Sequence, residues 1–407
     1  MNKKYIFIIC DGLGDLPIPQ LDNKTPLEAA STPNLDRLAK NGKLGLMYVL
    51  GKGVRPNSDE AHLTLFGYDL KKDYPGRGPI EAVGAGVKLE EGDIAIRANL
   101  ATVDKDFCVI DRRAGRIEDS TAFTKDLDGM EIDGIKFILK PGTAHRVALV
   151  MRGKGLSDKI TNSDVHYVTE DKIVEHWEGL PVNMVKPLDD SPEAKFTAES
   201  LEKFLKKAHE ILNQNQFNLE REKRGEPKGN YLLTRGPGYY KKLPSFKDKW
   251  GKTAYCISGA GLYKGLGMMA GMQLIEVPGA TGLPNTNIAA KIQAARGQVN
   301  NFDFIFVHIK PTDIFGENGD FIGKKDFIEK IDSAIDSLEE TGAVICLTAD
   351  HSTPCVFKDH SADPVPVLIN GPGISGDRIG KFGESSCAKG SLGIIEGKDL
   401  MKLLLEQ

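Results

Sequence analysis

Several short apolar runs in this chain are followed closely by side chains that bind divalent cations. Asp11 follows the first run, Asp313 comes soon after a run near residue 304, and Asp350 and His351 follow a run near residue 343. Carboxylate oxygens and imidazole nitrogens are ligands for Mn²⁺, Zn²⁺ and similar ions. Because ligands of open α/β sheets gather beyond the carboxyl ends of the strands, we expect these four side chains to converge on one edge.

Two further residues belong to the same pattern. His360 follows His351 closely, and a carboxylate with two imidazoles after one buried strand suits a divalent ion. For this segment alone, a chance group of surface residues is the alternative. Lys310 follows the run near residue 304, where it would either position a phosphate or simply be solvated.

The segment from Asn57 to His62 offers a nucleophile. Ser58 precedes an apolar stretch, at the expected first turn of a short helix. The positive end of the helix dipole favours an alkoxide there and any phosphate attached to it. The alternative is that Ser58 only caps the helix, with Asp59 and Glu60 as favourable first-turn carboxylates.

The runs that position these residues have the character of buried parallel strands. They are short, rich in β-branched residues and bounded by Gly, Asp or Pro. They cover Tyr5–Cys10, 304–307, 343–347 and 366–369. Helices are predicted from Pro33 to a stop at Gly42, and over 287–296 and 324–338.

A different pattern occupies the middle of the chain. With 407 residues, the chain exceeds what one hydrophobic core usually supports. The middle segment has shorter alternating runs such as 95–103 and an amphipathic helix over 198–212. A charged, helix-breaking stretch over 218–228 and a loop over 235–238 mark its end. We therefore predict an α/β metal-binding domain, 1–79 and 251–407, interrupted by an inserted α+β domain, 80–250.

Composition limits the partners. The chain is 40% hydrophobic and 27% charged with a net charge of −4, which gives no attraction to nucleic acid or acidic membranes. The first apolar run is too short for a membrane span or a signal peptide. The six cysteines are scattered, with no Cys-x-x-Cys pair, which fits the reducing cytoplasm. We predict a cytoplasmic enzyme for a small-molecule substrate. The oligomeric state stays open, a homo-oligomer included.

Together, the motifs resemble those of the cofactor-independent phosphoglycerate mutases of the alkaline phosphatase superfamily, in their archaeal-type branch. The resemblance covers nearly the whole chain, and it rests on Asp11-Gly12, Asn57-Ser58-Asp59 with His62, residues 310–316, 350–354 and 360–361, and on the segments 76–78, 111–116, 144–146 and 231–235. It implies an alkaline-phosphatase-like fold, with a mainly parallel sheet sandwiched by helices and interrupted by the inserted domain, which would bind substrate and serve phosphoryl transfer.

The resemblance also implies two divalent metal ions, with Mn²⁺ favoured and Mg²⁺, Zn²⁺ or Co²⁺ as alternatives. The first ion would be held by four residues, Asp11, Ser58, Asp350 and His351. The second would be held by Asp313, His360 and a third ligand, which in the family is a His four residues after the Asp. This chain has Glu317 there, across an expected loop, and a carboxylate would favour harder ions.

In the reaction that the resemblance implies, Ser58 takes the phosphoryl group from 3-phosphoglycerate and returns it to the 2-hydroxyl of the retained glycerate, without 2,3-bisphosphoglycerate. The residues expected to hold the substrate are Arg112, Arg113, Arg116, His145, Arg146, Asp164, His166, Arg235 and Lys310. For any one Arg, a surface salt bridge is the alternative. A phosphohydrolase or other phosphotransferase would share Ser58 and the metals, and a silent binding protein is the alternative outside enzymes.

Overall fold

The computed structural model describes residues 3–167 and 176–406. Its strands, in chain order, are β1 Tyr5–Cys10, β2 Lys43–Tyr48, β3 Ile94–Val103, β4 Val109–Asp111, β5 Met130–Ile132, β6 Ile135–Pro141, β7 Arg146–Arg152, β8 Tyr231–Tyr239, β9 Ala254–Ile257, β10 Gln273–Leu274, β11 Phe304–Ile309, β12 Val344–Thr348, β13 Val365–Asn370 and β14 Gly393–Glu396.

The helices alternate with these strands. They are α1 Pro26–Ala29, α2 Pro33–Asn41, α3 Ser58–Leu65, α4 Leu70–Asp73, α5 Arg77–Gly84, α6 Thr121–Thr124, α7 Pro192–Gln214, α8 Gln216–Lys223, α9 Phe246–Trp250, α10 Gly261–Met269, α11 Ile288–Gln298, α12 Pro311–Asn318, α13 Phe321–Ala334, α14 Glu384–Cys387 and α15 Gly397–Leu405, with 3₁₀ turns at Pro19–Leu21 and Glu339–Thr341.

The chain divides into two compact units. One joins the residues up to Tyr74 with those from Leu243 onward, and the other is the continuous segment Pro75–Lys242. The structure thus places both boundaries a few residues before the predicted ones. We call the first the sheet unit and the second the insertion.

The sheet unit is built on eight strands in the order β10-β9-β11-β1-β12-β13-β2-β14. The central strand β1 pairs in parallel with β11 on one side and β12 on the other. All six residues of β1 are buried, as they are in β11. Helix α3 contacts α10 and α15, and α13 contacts α1, α2, α11 and α12, so the helices form two sets around the sheet. Three parallel strands therefore end side by side.

The insertion is an antiparallel sheet covered by helices. Its strand order is β4-β3-β7-β6-β5, and β8 also pairs with β3. Helix α7 places its apolar face against this sheet, and Phe204 stacks on Phe137 with ring centroids 4.2 Å apart. This apolar face is the one that the period of residues 198–212 predicts.

The predicted fold class is confirmed, because a mainly parallel sheet flanked by helices is interrupted by an α+β insertion. Three local predictions were wrong. Strand β13, expected to be parallel, runs antiparallel to both neighbours. The stretch 218–228, expected to break helices, contains much of α8, and the expected loop 235–238 lies inside β8. Among the described residues, no helix combines the length and the apolar character that a membrane crossing requires.

Candidate metal centre

The ends of three adjacent parallel strands bring the predicted metal ligands together. Asp11 follows β1, Asp350 and His351 follow β12, and Asp313 lies in the first turn of α12, after β11. Nε2 of His351 lies 3.4 Å from Oδ1 of Asp11 and 3.3 Å from Oδ2 of Asp350. All of these side chains are buried. The convergence expected from the strand ends is therefore present in the structure.

The first group consists of Asp11, Asp350 and His351. One ligand atom from each lies within 4.8 Å of the others. Oγ of Ser58 lies 3.4 Å from Nε2 of His351, so the candidate nucleophile adjoins this group. Ser58 is the first residue of α3, and Asn57 stands at the N-cap position. Ser58 therefore does not fill the capping position that was the alternative reading of this segment.

The second group consists of Asp313, His351 and His360, whose ligand atoms also lie within 4.8 Å of one another. Nε2 of His360 lies 3.5 Å from Oδ1 of Asp313. The rings of His351 and His360 are stacked, with centroids 3.6 Å apart. His351 thus belongs to both groups, which places the two candidate metal positions next to each other.

In His351 and His360, a hydrogen bond at Nδ1 determines which ring nitrogen is free to bind a metal ion. Nδ1 of His351 lies 3.0 Å from Oγ1 of Thr353, whose hydroxyl donates to Asp313 at 2.7 Å. Since that hydroxyl gives its proton to Asp313, Nδ1 of His351 is the donor to Thr353. Nδ1 of His360 donates to the carbonyl of Pro56 at 3.1 Å. Each Nε2 then keeps its lone pair, as a metal ligand requires.

The donor set fits divalent metal ions. Two imidazoles, three carboxylates and a hydroxyl face one another, and Oδ2 of Asp350 is buried with no hydrogen-bond partner in the described part of the chain. A buried carboxylate oxygen left without a donor is costly. A cation would satisfy it.

Lys310 lies between the two groups. Its ammonium donates to Oδ1 of Asp11 at 3.3 Å and also to Asp313. Burial works to raise the pKa of Asp11, but the Lys310 ammonium and hydrogen-bonded imidazoles outweigh it and hold that pKa well below its usual range. Burial and the Asp11 charge raise the pKa of Asp350 to about 6. Lys310 is therefore not merely solvated, as one sequence alternative had it.

Glu317 lies one helical turn after Asp313 on α12, where a loop had been expected. Its carboxylate is not among the atoms of the second group in the described structure. Burial and the negative charge of Asp313 raise the pKa of Glu317, so the two carboxylates are close enough to interact. Asp320, the other carboxylate nearby, caps α13 through the amide of Gly323 and is thus already engaged.

Two residues outside the predicted ligand set, one of them at a strand end that the sequence indicates, also contact Asp11. The hydroxyl of Tyr263 donates to Oδ2 of Asp11, and Nε2 of His308 lies 3.0 Å from the same oxygen. The Tyr263 and His308 rings stack with centroids 3.4 Å apart. His308 carried a signal, because it ends the apolar run of β11. Tyr263 carried none, since only the tertiary fold brings it to the site.

In the insertion, Arg112 and Asp164 form a buried bidentate pair. Nε of Arg112 donates to Oδ1 of Asp164 at 2.9 Å, and its Nη2 donates to Oδ2 at 2.5 Å. The amide of His166 also donates to Asp164. The guanidinium of Arg235 lies over the ring of Tyr167, 3.9 Å from its centroid. These predicted substrate residues are thus grouped and held in place.

The remaining predicted substrate residues are more exposed. Arg113 and Arg116 lie on an exposed turn after β4. Arg146 begins β7. Burial and the charges of Arg146 and Arg113 lower the pKa of His145 to about 4, so this imidazole is neutral near pH 7. Within residues 3–167 and 176–406, no contact brings the exposed Arg116 to the other members of the set.

Comparison with known proteins identifies the family of this chain. The model of the metalloenzyme superfamily matches residues 3–407. The chain is 45% identical to 2,3-bisphosphoglycerate-independent phosphoglycerate mutase 1 of Methanocaldococcus jannaschii, over 100% of this chain and 97% of that protein. It is also 45% identical to the protein of the same name from Archaeoglobus fulgidus, over 98% of this chain and 97% of that protein.

A solved structure agrees with these sequence relatives. The cofactor-independent phosphoglycerate mutase from Thermoplasma acidophilum is 38% identical to this chain and superposes with a TM-score of 0.74. The alignment covers 99% of each chain. Similarity of this extent includes both the sheet unit and the insertion.

Proposed function

Since the chain belongs to the metalloenzyme superfamily and, within it, to the 2,3-bisphosphoglycerate-independent phosphoglycerate mutases, we propose that Ser58 carries the phosphoryl group during the reaction. The enzyme interconverts 3-phosphoglycerate and 2-phosphoglycerate. The observation that carries the proposal is the position of Ser58 Oγ, 3.4 Å from Nε2 of His351 and at the first turn of α3. A buried hydroxyl beside metal-type ligands is suited to nucleophilic attack.

The transfer needs two displacements at phosphorus. In the first, Ser58 loses its proton, Oγ bonds to phosphorus and the bond from phosphorus to the 3-oxygen breaks, so glycerate leaves as an alcohol. In the second, the 2-hydroxyl of the same glycerate loses its proton and attacks the phosphoserine. The bond from phosphorus to Oγ of Ser58 then breaks, and the serine hydroxyl regains a proton. No bisphosphoglycerate enters this balance.

The metal ligands that we propose are the two groups of the metal centre. Asp11, Ser58, Asp350 and His351 would hold one divalent ion. Asp313 and His360 of the second group would hold the other, and we add Glu317 as its third ligand, although the carboxylate of Glu317 lies outside that group in the described structure. When bound, the ions neutralise charge on the transferring phosphoryl group and favour the alkoxide of Ser58. Oxygen atoms outnumber nitrogen atoms in this donor set, which favours Mn²⁺ over Zn²⁺.

The insertion is proposed to hold the substrate anion and the freed glycerate. Arg112, kept in place by Asp164, and Arg235, stacked on Tyr167, are oriented guanidiniums, which bind carboxylate and phosphate through paired hydrogen bonds. Neutral His145 can accept or donate one proton. We also place Arg113, Arg116, Arg146, His166 and Lys310 in the substrate-binding set. The six cysteines are free thiols, which supports our placement of the enzyme in the cytoplasm.

The test is to detect phosphoserine. Manganese-loaded protein mixed with 3-phosphoglycerate and quenched with acid should carry one phosphate on the peptide that contains Ser58, measured by mass spectrometry. Ser58→Ala should lose this phosphate and essentially all isomerase activity while keeping its circular dichroism spectrum. Isomerase activity that persists in Ser58→Ala would rule out the phosphoserine path. Phosphate release measured in parallel shows how strictly the enzyme retains glycerate.

A further inference from the structure

One face of strand β3 in the insertion is unusually cationic. Arg97 and Asn99 point to the same side, because side chains two apart on a strand share a face. In the neighbouring strands, Arg97 is paired with Arg235 and Asn99 is paired with Arg146. Three guanidiniums and one amide therefore occupy adjoining positions. Like charges directly opposite each other destabilise a sheet unless something else compensates them.

The compensation inside the insertion is incomplete. Glu81 on α5 forms ion pairs with two arginines: its Oε1 lies 3.1 Å from Nη1 of Arg97 and 2.9 Å from Nε of Arg77. Burial opposes ionisation of Glu81, but the charges of Arg97, Arg77 and Arg146 outweigh it and lower the pKa of Glu81 to about 2. This carboxylate is thus fully ionised, and it serves several arginines at once. The positive charge on this face still exceeds the negative charge.

Three buried polar atoms on this face have no hydrogen-bond partner among the described residues. They are Nε of Arg97, Nε of Arg235 and Oδ1 of Asn99. Each residue is more than nine-tenths buried, with 5%, 8% and 6% exposure respectively. Buried donors and acceptors are nearly always satisfied in native proteins, and leaving one unpaired is costly. Two of these atoms need an acceptor, and the third needs a donor.

We propose that Arg97, Arg235 and Asn99 bind a carboxylate that has a hydroxyl on its neighbouring carbon. The two guanidiniums donate to the carboxylate oxygens, and Oδ1 of Asn99 accepts a hydrogen bond from the hydroxyl. A fully ionised phosphate has acceptor oxygens only and cannot donate to Oδ1 of Asn99, so this oxygen favours the hydroxy acid. We call these three residues the hydroxy-acid site. The proposal rests on the mutase function, in which glycerate must be retained.

The hydroxy-acid site distinguishes the two substrates. Glycerate and 3-phosphoglycerate both carry a free hydroxyl beside the carboxylate, whereas in 2-phosphoglycerate that oxygen is esterified. Asn99 should therefore strengthen the binding of 3-phosphoglycerate and of freed glycerate. Neither Arg97 nor Asn99 belongs to the motifs that identify the family by sequence, and only the register of β3 with β7 and β8 places them beside Arg235 and Arg146.

The test compares two ligands on manganese-loaded protein in which Ser58→Ala stops turnover. Calorimetry measures the affinity for 3-phosphoglycerate and for 3-phosphooxypropionate, which lacks only the 2-hydroxyl. We expect Asn99→Leu to lower the affinity for 3-phosphoglycerate by about tenfold, the usual effect of one hydrogen bond. The affinity for the deoxy compound should stay unchanged. Equal weakening of both ligands, or of neither, would overturn the role of Asn99.

Arg97 is tested with a variant that keeps its charge. Arg97→Lys retains an ion pair with Glu81 but removes the guanidinium fork, so both ligands should weaken equally, by tenfold or more. Unchanged affinity would remove Arg97 from the site. Circular dichroism checks that each variant folds, and Asn99→Asp is the second variant if Asn99→Leu does not. Phosphoserine formation in the wild type separates these results from a failure of the proposed mutase path.

Discussion

At the scale of single residues, the hydroxyl of Thr353 connects the first and the second group of candidate metal ligands. This hydroxyl accepts from Nδ1 of His351 and donates to Oδ1 of Asp313. It therefore sets the tautomer of one ligand and the orientation of another. Such supporting hydrogen bonds change metal affinity by about 10- to 100-fold when they are removed.

We predict that Thr353→Val weakens Mn²⁺ binding by about 10- to 100-fold, because His351 and Asp313 lose their shared partner. Calorimetric titration of metal-free protein measures the change. Thr348→Val is the matched control, since Thr348 is equally buried and its hydroxyl donates only to the carbonyl of Pro366. If both variants bound Mn²⁺ equally well, Thr353 would have no part in organising the metal ligands.

Glu317 stands where the resemblance described in the sequence analysis implies a histidine. We predict that Glu317→His shifts the preference between Mn²⁺ and Zn²⁺ toward Zn²⁺ by on the order of tenfold, because imidazole replaces a harder oxygen ligand. Competition between the two ions in calorimetry measures the preference. Asn318→His is the control, because it adds the same ring at the next position of α12 and should leave the preference between the two ions unaltered. An unchanged preference in Glu317→His would mean that Glu317 does not contact metal.

The sequence identified the residues of the metal groups because their signal is local. Asp11, Asp350 and His351 directly follow apolar runs, and any parallel arrangement of those runs brings them to one edge. Tyr263 and Arg97 have no comparable signal. Tyr263 lies on α10 and reaches Asp11 through the fold alone, and Arg97 looks like a polar residue of an ordinary alternating strand.

At the scale of elements, Lys324 joins the loops that carry the proposed metal ligands. Its ammonium is buried in α13 and donates to the carbonyls of Gly14 and Thr353 and to the carboxylate of Asp15. Gly14 lies in the loop after β1, and Thr353 lies in the loop after β12. One side chain thus keeps the two loops in a constant relation, although it touches no ligand atom itself.

The turn after β1 also depends on a close approach. Gly12 has φ of +62°, and a Cβ there would lie 2.8 Å from Cα of Asp313 and 2.5 Å from Oγ1 of Thr353. Both contacts are shorter than real Cβ atoms tolerate, and Cα of Asp313 belongs to the backbone. A side chain at this position must therefore push α12 away from β1, and the two metal groups with it.

We predict that Gly12→Ala lowers the free energy of unfolding by about 2 kcal/mol more than Gly342→Ala does, from overpacking in addition to strain. Gly342 is the matched control, because its φ is +66° and a Cβ there meets nothing within 4 Å. Gly342→Ala should lower the free energy of unfolding by about 1 kcal/mol, because alanine disfavours the left-handed conformation. Urea unfolding measures both. Equal losses would show that the space around Gly12 accommodates a methyl group.

The elements themselves were largely predictable, and the exceptions have physical causes. The apolar run of β13 specifies a buried strand, but burial on both faces does not specify direction. The segment from Pro311 to Asn318 contains Gly316, which argues against a helix by propensity. A Cβ at Gly316 would lie 2.5 Å from the carbonyl oxygen of Thr353, so close packing requires this glycine inside α12.

At the scale of the whole molecule, the two units contain one tryptophan each. Trp250 ends α9 of the sheet unit, where its indole donates to the carbonyl of Phe66. Trp177 packs against the apolar core of the insertion. The chain has no other tryptophan. Fluorescence from single-tryptophan variants therefore follows the unfolding of each unit separately.

We predict that metal stabilises the unit reported by Trp250 and leaves the other unchanged, because every proposed metal ligand lies in the sheet unit. In Trp177→Phe, Mn²⁺ at about 100 times its dissociation constant should add about 2.7 kcal/mol to the free energy of unfolding. In Trp250→Phe, the signal of Trp177 should unfold at the same denaturant concentration with Mn²⁺ or with chelator. A metal-dependent shift at Trp177 would contradict independent unfolding of the two units.

The order of strands in the sheet unit has a consequence for synthesis of the protein. In the central strand, Tyr5 pairs with Phe304 and Val344, which the ribosome adds 299 and 339 residues later. The insertion is continuous, so it can fold as soon as it emerges, while β1 waits with its apolar side chains unpaired. Such long-range pairing is slow and exposes the chain to aggregation. The nascent protein should therefore depend on chaperones until the last third of the chain is made.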